Sequence, residues 1–131
     1  MIDMNETEVL QEFYSALNRN DIPAMINLMD SDIVRVEPEG FPASGTYRGQ
    51  EAILAHFTAA RGTWAEGSCN PEQFINVGDK FVVLVHVHVR LKDKTDWIDG
   101  HVADGFAFKN GKISHFQSFL EKEKALKWAE Q

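Results

Sequence analysis

The clearest fold signal in this chain is the sequence of residues 81–91, which read Phe-Val-Val-Leu-Val-His-Val-His-Val-Arg-Leu. Every odd position from 83 to 89 is valine, whereas positions 86, 88 and 90 are histidine, histidine and arginine. Successive side chains of a β-strand point to opposite faces of its sheet. The stretch therefore predicts a long strand with one apolar face and one polar face.

Further long strands surround this one and are separated from it by short turns. Asn110-Gly111 is the dipeptide that favours a type I′ hairpin turn. Residues 92–96 form a polar turn, and residues 67–71 interrupt the strand that precedes Phe81. The predicted strands of this half are Trp64–Val77, Phe81–Leu91, Trp97–Lys109 and Lys112–Leu120. An amphipathic tail over residues 121–131 ends the chain.

The N-terminal half carries the caps and the apolar spacing of three helices. Asn5 can cap the first helix, and Glu8, three residues later, completes a capping box. Asp21 can cap the second helix, and residues 49–61 carry the apolar spacing of the third. Two short strands are predicted between the second and third helices, at Ile33–Val36 and Thr46–Tyr47.

Length and composition limit the class of protein. The 131 residues predict a single domain over 1–131, and 44% of them are hydrophobic. A net charge of −7 argues against nucleic acid as a partner. The apolar run Phe81–Val85 is too short to span a membrane, and residues 1–6 lack the features of a signal peptide. With Cys69 as its single cysteine, the chain is expected to be cytoplasmic.

Helices followed by long strands predict an α+β fold. We expect a curved antiparallel sheet that wraps on the N-terminal helices and forms a cone with an internal pocket. Concave, mostly apolar pockets of this kind bind small molecules. The expected ligand is therefore a small hydrophobic molecule.

Four short motifs accompany this order of elements. They are Phe13–Asp21, Val36-Glu37-Pro38, Gly45–Gly49 and Asp104–Phe108 followed by Asn110–Ile113. In these motifs the chain resembles the nuclear-transport-factor-2-like superfamily, and within it the SnoaL-like and ketosteroid-isomerase-like proteins. The resemblance implies the cystatin-like cone over nearly the whole chain. Because this superfamily contains isomerases, cyclases, hydrolases and plain binding modules, the resemblance implies no single activity.

The resemblance also implies candidate catalytic residues. Glu37, followed by Pro38, stands where the isomerases have their general base. Asp104 matches their second acid, which stays protonated and donates a hydrogen bond to a forming oxyanion. The phenol that shares this oxyanion hole aligns with Phe13, which has no donor, and Tyr14 is about 100° further round the helix. The expected site therefore contains two acids without the phenol.

Strand parity selects further residues for the pocket. Counting back by twos from Phe106 places Asp104 on the apolar face of its strand. A two-residue turn at Asn110-Gly111 sets His115 opposite Phe106 and into the pocket, although a bulge would reverse it. The candidate ligand-binding residues are Phe13, Tyr14, Phe57, Trp64, Val85, Val87, Phe106 and His115.

The main hypothesis is a cofactor-independent isomerase or cyclase that transfers a proton on a carbonyl or enol compound, with Glu37 as the base and Asp104 as the acid or oxyanion donor. The alternative is a non-catalytic ligand-binding or dimerisation module. A pocket filled by Met25, Met29, Phe116 or Trp64 would favour that alternative.

The remaining histidines allow two interpretations. His101 is predicted to lie across from His88, and together with His86 the three could bind zinc for metal-assisted hydrolysis. The same side chains could instead lie on a sheet face that is buried in a homodimer, and this is the interpretation that we prefer. The expected partners are thus a small hydrophobic molecule and a second copy of the chain, with no metal, cofactor, nucleic acid or membrane.

Overall fold

The structure, a computed structural model, describes residues 4–41 and 43–131. The prediction that the chain lacks a signal peptide rests partly on Met1–Asp3, which lie outside the described residues. The helices are α1 (Glu6–Asn18), α2 (Ile22–Ile26), α3 (Gln50–Gly62) and α4 (Lys122–Ala129). The strands are β1 (Met29–Glu37), β2 (Gly45–Arg48), β3 (Trp64–Val77), β4 (Lys80–Leu91), β5 (Trp97–Lys109) and β6 (Lys112–Phe119).

The six strands form one curved sheet in the order β2-β1-β6-β5-β4-β3. Helices on a curved sheet confirm the predicted α+β cone. The prediction of a wholly antiparallel sheet is wrong at one pairing, because β1 and β6 run parallel. After β2, helix α3 connects to β3 at the opposite edge of the sheet. The strands β3, β4, β5 and β6 then pair antiparallel in turn, and as a result β6 runs in the same direction as β1.

Local signals set the ends of these elements. The Asn5 side chain accepts a hydrogen bond from the Glu8 amide at 2.8 Å, and the Glu8 carboxylate accepts one from the Asn5 amide at 3.0 Å. This confirms the capping box at the start of α1. Asn110 and Gly111 both have positive φ angles, as a type I′ turn requires. The predicted interruption of β3 is wrong, since β3 is one strand with two register shifts.

Apolar side chains cover the two faces of the sheet in different ways. On the inner face, Val83 and Val85 belong to the main core together with α1, α2 and α3. On the outer face, Val82 and Ala103 form a smaller core with α4, so the amphipathic tail is a helix that packs on the sheet. Among the described residues, no helix has the length and apolarity needed to cross a membrane.

Hydrogen bonds attach α1 to the inner face of the sheet. The Asn18 side chain donates to the Cys69 carbonyl and accepts from the Cys69 amide, both at 2.9 Å. Arg61 of α3 donates to the carbonyls of Leu17 and Asn18, also at 2.9 Å. The end of α1 is therefore fixed to both β3 and α3, which encloses a space between the helices and the sheet.

Candidate active site

A cavity of about 520 Å³ lies between α1, α3 and the inner face of the sheet. This volume suits a small organic ligand. Most of its lining is aliphatic or aromatic, and its polar side chains include Tyr14, Arg35, Glu37, Asp104 and Ser118. The predicted residues that line it are Phe13, Tyr14, Glu37, Phe57, Trp64, Val85, Val87 and Asp104.

The cavity is not filled in the way that would have favoured the non-catalytic ligand-binding or dimerisation module. Met25 and Met29 are fully buried in the main core and are not part of the cavity lining. Phe116 and Trp64 form walls of the cavity instead of occupying it. Open space thus remains beside both predicted acids.

Tyr14 and Asp104 form the central polar contact of the cavity. The Tyr14 hydroxyl donates a hydrogen bond of 2.6 Å to Asp104 Oδ2, and the Ser118 hydroxyl donates one of 2.6 Å to Asp104 Oδ1. All three residues are at most 5% exposed. The expectation that the site lacks a phenol is therefore wrong, because Tyr14 supplies one. Both Phe13 and Tyr14 are buried, since the core surrounds this part of α1 on more than one side.

Burial controls the protonation of this pair. Removal from water raises the pKa of Asp104, although the Arg35 charge and the hydrogen bonds from Ser118 and Tyr14 oppose the increase. Burial and the nearby Asp104 carboxylate raise the pKa of Tyr14 well above its usual value. Tyr14 therefore remains a hydrogen-bond donor at neutral pH.

Glu37 borders the cavity between two basic side chains. Its Oε1 lies 3.7 Å from Arg35 Nη2, and its Oε2 lies 3.0 Å from His56 Nε2. The His56 contact lacks the direction of a hydrogen bond, so Glu37 Oε2 is left without a hydrogen-bond partner among the described residues. The carboxylate is held in place from both sides and still keeps a free acceptor atom.

Arg35 is a buried cation in the wall of the cavity. It is 4% exposed, its guanidinium lies 4.0 Å from the centre of the Phe116 ring, and it donates to the Val36 carbonyl at 2.9 Å. Burial lowers the pKa of Arg35, and the charges of Asp104 and Glu37 oppose this change. Its Nε atom has no hydrogen-bond partner among the described residues. The wall of the cavity thus holds one buried donor and one buried acceptor that lack hydrogen-bond partners among the described residues.

Two predicted ligand-binding residues lie outside the cavity lining. A register shift after Ala107 pairs His115 with Ala107 and Phe116 with Phe106. His115 consequently points to the outer face, where its ring stacks on Trp128 at 5.3 Å, so its predicted place in the pocket is wrong. Phe106 is fully buried behind the cavity and packs on Phe13 and Phe116.

The predicted pairing of His101 with His88 is also wrong. His101 lies opposite His86, and Asp99 lies opposite His88. The pairing register of β4 and β5 differs from the predicted one by two residues, since Arg90 pairs with Trp97.

Cys69 borders the cavity, and burial raises the pKa of its thiol to about 12, which leaves it a poor nucleophile.

Three polar residues of the site were not among the predicted ones, namely Arg35, His56 and Ser118. Arg35 could have been found, because it is two residues from Glu37 on the same strand and so shares its face. Ser118 could likewise have been found once β6 was in register with Asp104. His56 reaches Glu37 only through the packing of α3 on the sheet, for which the sequence has no local signal.

Comparisons with known proteins agree with this architecture. The sequence profile of the SnoaL-like domain family matches residues 10–116. An α+β cone with an internal cavity defines the NTF2-like class of folds, and this chain belongs to the SnoaL-like domain family within it. The resemblance seen in the sequence is therefore confirmed. No curated protein matches the chain in sequence.

Solved structures with the same fold cover almost the whole chain. An NTF2-like protein of unknown function from Burkholderia pseudomallei is 22% identical with a TM-score of 0.80, over 95% of this chain and 96% of that one. TerC, co-crystallised with polyporic acid, is 19% identical with a TM-score of 0.78, over 96% and 98% of the two chains.

A protein with a ketosteroid isomerase-like fold from Catenulispora acidiphila, in complex with trimethylamine, is similar as well. It is 14% identical with a TM-score of 0.77, over 93% of this chain and 92% of that one. At these identities the likeness establishes the fold alone.

Proposed function

We propose that this protein binds a small, flat, mostly apolar molecule with a carbonyl or enol oxygen, and that it moves a proton on that molecule without a cofactor. The observation that carries the proposal is the buried Tyr14–Asp104 hydrogen bond of 2.6 Å in an apolar cavity that Glu37 also lines. Membership of the SnoaL-like family supports a ligand-binding or isomerase-type role.

Glu37 is the proposed base. It would take a proton from the carbon next to a carbonyl, and the electron pair of that C–H bond would move onto the carbonyl oxygen. Glu37 would then return the same proton to a different carbon, so the product is an isomer of the substrate. Arg35 and His56 support this role because they contact different oxygens of Glu37 and hold its carboxylate beside the cavity.

Tyr14 and Asp104 are the proposed partners of the ligand oxygen. With Asp104 ionised, the Tyr14 and Ser118 hydroxyls both donate to it, so neither hydroxyl can donate to a ligand. With Asp104 protonated, the Tyr14, Asp104 and Ser118 side chains together hold one more proton, which can be donated in a hydrogen bond to an oxyanion. The raised pKa of Asp104 favours this protonated state. Hydrogen bonds aimed at developing charge in a dry site are a major source of rate enhancement.

The second candidate is a binding module without catalysis. It is favoured by the same hydrogen bonds, since an ionised Asp104 that accepts from both Tyr14 and Ser118 is fully occupied. In that case the cavity would recognise a ligand mainly by shape. The neighbours co-crystallised with polyporic acid or complexed with trimethylamine support the binding of small organic molecules by this fold.

A ligand screen with two paired variants tests the proposal. Thermal shifts are measured with enones, phenols, quinones, lactones and steroids, because a ligand at a hundred times its dissociation constant adds about 2.7 kcal/mol of stability. Hits are then followed for isomerisation. We expect Asp104→Asn to lower kcat by about 100-fold, the effect of losing one oxyanion donor. A decrease of less than about threefold would contradict the role of Asp104.

Tyr14→Phe is paired with Tyr47→Phe as its control. Both variants remove one phenol hydroxyl, but Tyr47 donates to the Ala43 carbonyl and does not line the cavity. We expect Tyr14→Phe alone to weaken binding and turnover. A ligand that binds with no turnover, and equally well to Asp104→Asn, would favour the binding module instead.

We also propose that the protein acts in the cytoplasm as a homodimer. The acidic composition and single cysteine support the location. Support for the dimer comes from the outer face of the sheet, where Trp97 is 42% exposed beside His88.

A further inference from the structure

The outer face of the sheet, opposite the cavity, carries the side chains of a group of potential metal ligands. This outer cluster consists of Glu72 on β3, His86 and His88 on β4, and Asp99 and His101 on β5. His86 and His88 share a face because they are two residues apart, and the register sets His101 and Asp99 directly opposite them. Three strands thus bring five imidazole and carboxylate groups together.

Asp99 connects the two histidines of β4. Its Oδ1 atom lies 2.5 Å from His86 Nε2 and 3.1 Å from His88 Nδ1. The three atoms lie within 4.8 Å of one another. Metal–ligand bonds of about 2.1 Å place tetrahedral ligands roughly 3.4 Å apart, so small side-chain rotations would accommodate an ion. One oxygen already points between two ring nitrogens, and a cation could replace the shared protons.

Ring stacking holds both imidazoles in position. The His88 ring stacks on Trp97 at 4.3 Å, and the His86 ring stacks on His101 at 4.8 Å. Less side-chain freedom is then lost when an ion binds, which favours binding. In one chain the side chains of His86, His88 and Asp99 are between 32% and 59% exposed, so an ion could reach them from solvent before a second copy covers this face.

The nearby charges do not oppose a cation. Arg90 follows on the same face of β4, but its guanidinium donates to Glu66 at 2.9 Å. His101 contacts Glu72 at 3.3 Å, and this pair supports His86 from its other side. The cluster therefore presents two imidazoles and one carboxylate to the same point, with further carboxylate charge close by.

We propose that His86, His88 and Asp99 bind a divalent transition-metal ion of the zinc class on the outer face of the sheet. Imidazole nitrogens suit Zn²⁺, Ni²⁺ and Cu²⁺, whereas Mg²⁺ and Ca²⁺ prefer oxygen ligands. Three protein ligands leave at least one position for water or for a group of another molecule. Asp99 also borders the cavity, but strand register places its side chain with those of His86 and His88 on the opposite face of the sheet. Ion binding there does not depend on the proposed proton transfer.

Calorimetric titration of untagged, chelator-treated protein with Zn²⁺ tests the site, with Mg²⁺ as the comparison ion. We expect about one Zn²⁺ per chain with a dissociation constant below roughly 10 µM, and no detectable Mg²⁺ binding. Asp99→Asn and His88→Gln should each weaken Zn²⁺ binding by at least about tenfold. Quenching of tryptophan fluorescence on Ni²⁺ addition, which should be smaller in Trp97→Phe, provides a second reading, because Trp97 stacks on a proposed ligand.

His115→Gln is the matched control, since His115 lies on the same face but stacks on Trp128. Zn²⁺ binding should be unchanged in this variant. Thermal unfolding of each variant verifies that the sheet is intact. Absence of Zn²⁺ binding by the wild-type protein would overturn the proposal. Loss of binding in His101→Gln or Glu72→Gln, with Asp99→Asn unaffected, would overturn the assigned ligands.

Discussion

Tyr14 shows how one residue position changes the chemistry of the cavity. The motif resemblance aligns Phe13 with the phenol of the isomerases, yet the Tyr14 hydroxyl is the group that donates to Asp104. Both side chains are buried, and the Tyr14 phenol spans the distance to β5. Neighbouring helix positions differ by a rotation of about 100°, but a long side chain on a helix with several buried faces can still reach the same site.

Asp104 should make stability depend on pH. Its pKa is raised by burial, so between the ordinary aspartate pKa of about 3.9 and the raised value the folded chain keeps a proton that the unfolded chain has lost. Stability from this group is therefore complete at low pH and falls as pH increases through that window. Asp104→Asn lacks this loss.

Urea denaturation of both proteins at a series of pH values from about 4 to 8 measures the effect. The free energy of unfolding of the wild type should decrease relative to that of Asp104→Asn as pH increases. Because all other titrating groups are shared, they cancel in this difference. Two curves that stay parallel would show that Asp104 is not perturbed in the folded protein.

Bulges in the strands change which side chains reach the cavity. The shift after Ala107 moves His115 to the outer face and brings Phe116 inward. On β3, shifts after Trp64 and after Pro71 let a 14-residue strand follow the curved sheet without a break. Inserting one residue in a strand reverses the face of everything beyond it. Pairing predictions made from turns alone fail at these places.

Substitution of Gly67 tests whether the backbone of β3 needs a glycine where it approaches β4. It has a φ of +117°, and a Cβ atom there would lie 2.2 Å from the His88 carbonyl oxygen. We expect Gly67→Ala to lower the free energy of unfolding by at least about 2 kcal/mol, measured by urea denaturation.

Gly62→Ala is the matched control for this substitution. Gly62 ends α3. Apart from its chain neighbours and the backbone of its own helix, no atom of the described residues would lie within 4 Å of a Cβ atom there. Its free energy of unfolding should not decrease, and the higher helix propensity of alanine should increase it by up to about 1 kcal/mol. Equal effects of the two substitutions would contradict the proposed strain at Gly67.

The two faces of the sheet differ in what covers them. The inner face, with α1 and α3, encloses the cavity. The outer face is covered by α4 at one end and carries the outer cluster at the other. The predicted homodimer would use this uncovered part of the outer face, where Trp97 is exposed.

Sedimentation equilibrium in the presence of a chelator tests the dimer. At tens of micromolar the mass should be twice the 14.8 kDa of one chain. Trp97→Glu should shift the protein toward monomer, because it places a charge in the proposed interface. Leu54→Glu is the control, since Leu54 is an exposed apolar residue on α3. A wild-type monomer at these concentrations would refute the dimer.

The sequence alone determined the features that depend on neighbouring residues. The capping box at Asn5 and Glu8, the turn at Asn110-Gly111 and the valine alternation of β4 fix backbone geometry within a few residues, and they predict the helices, most strands and the α+β class. The family motifs added Glu37 and Asp104, both of which line the cavity.

The assembly of the site depends on contacts between distant parts of the chain, which are visible only in the tertiary structure. Tyr14 and Asp104 are 90 residues apart, Arg35 and Phe116 are 81 apart, and β1 meets β6 in parallel. These contacts depend on strand register, bulges and the packing of α3, which are set by closure of the whole core. Local periodicity specifies which face a side chain takes within one strand, but the residue it meets is specified by the entire fold.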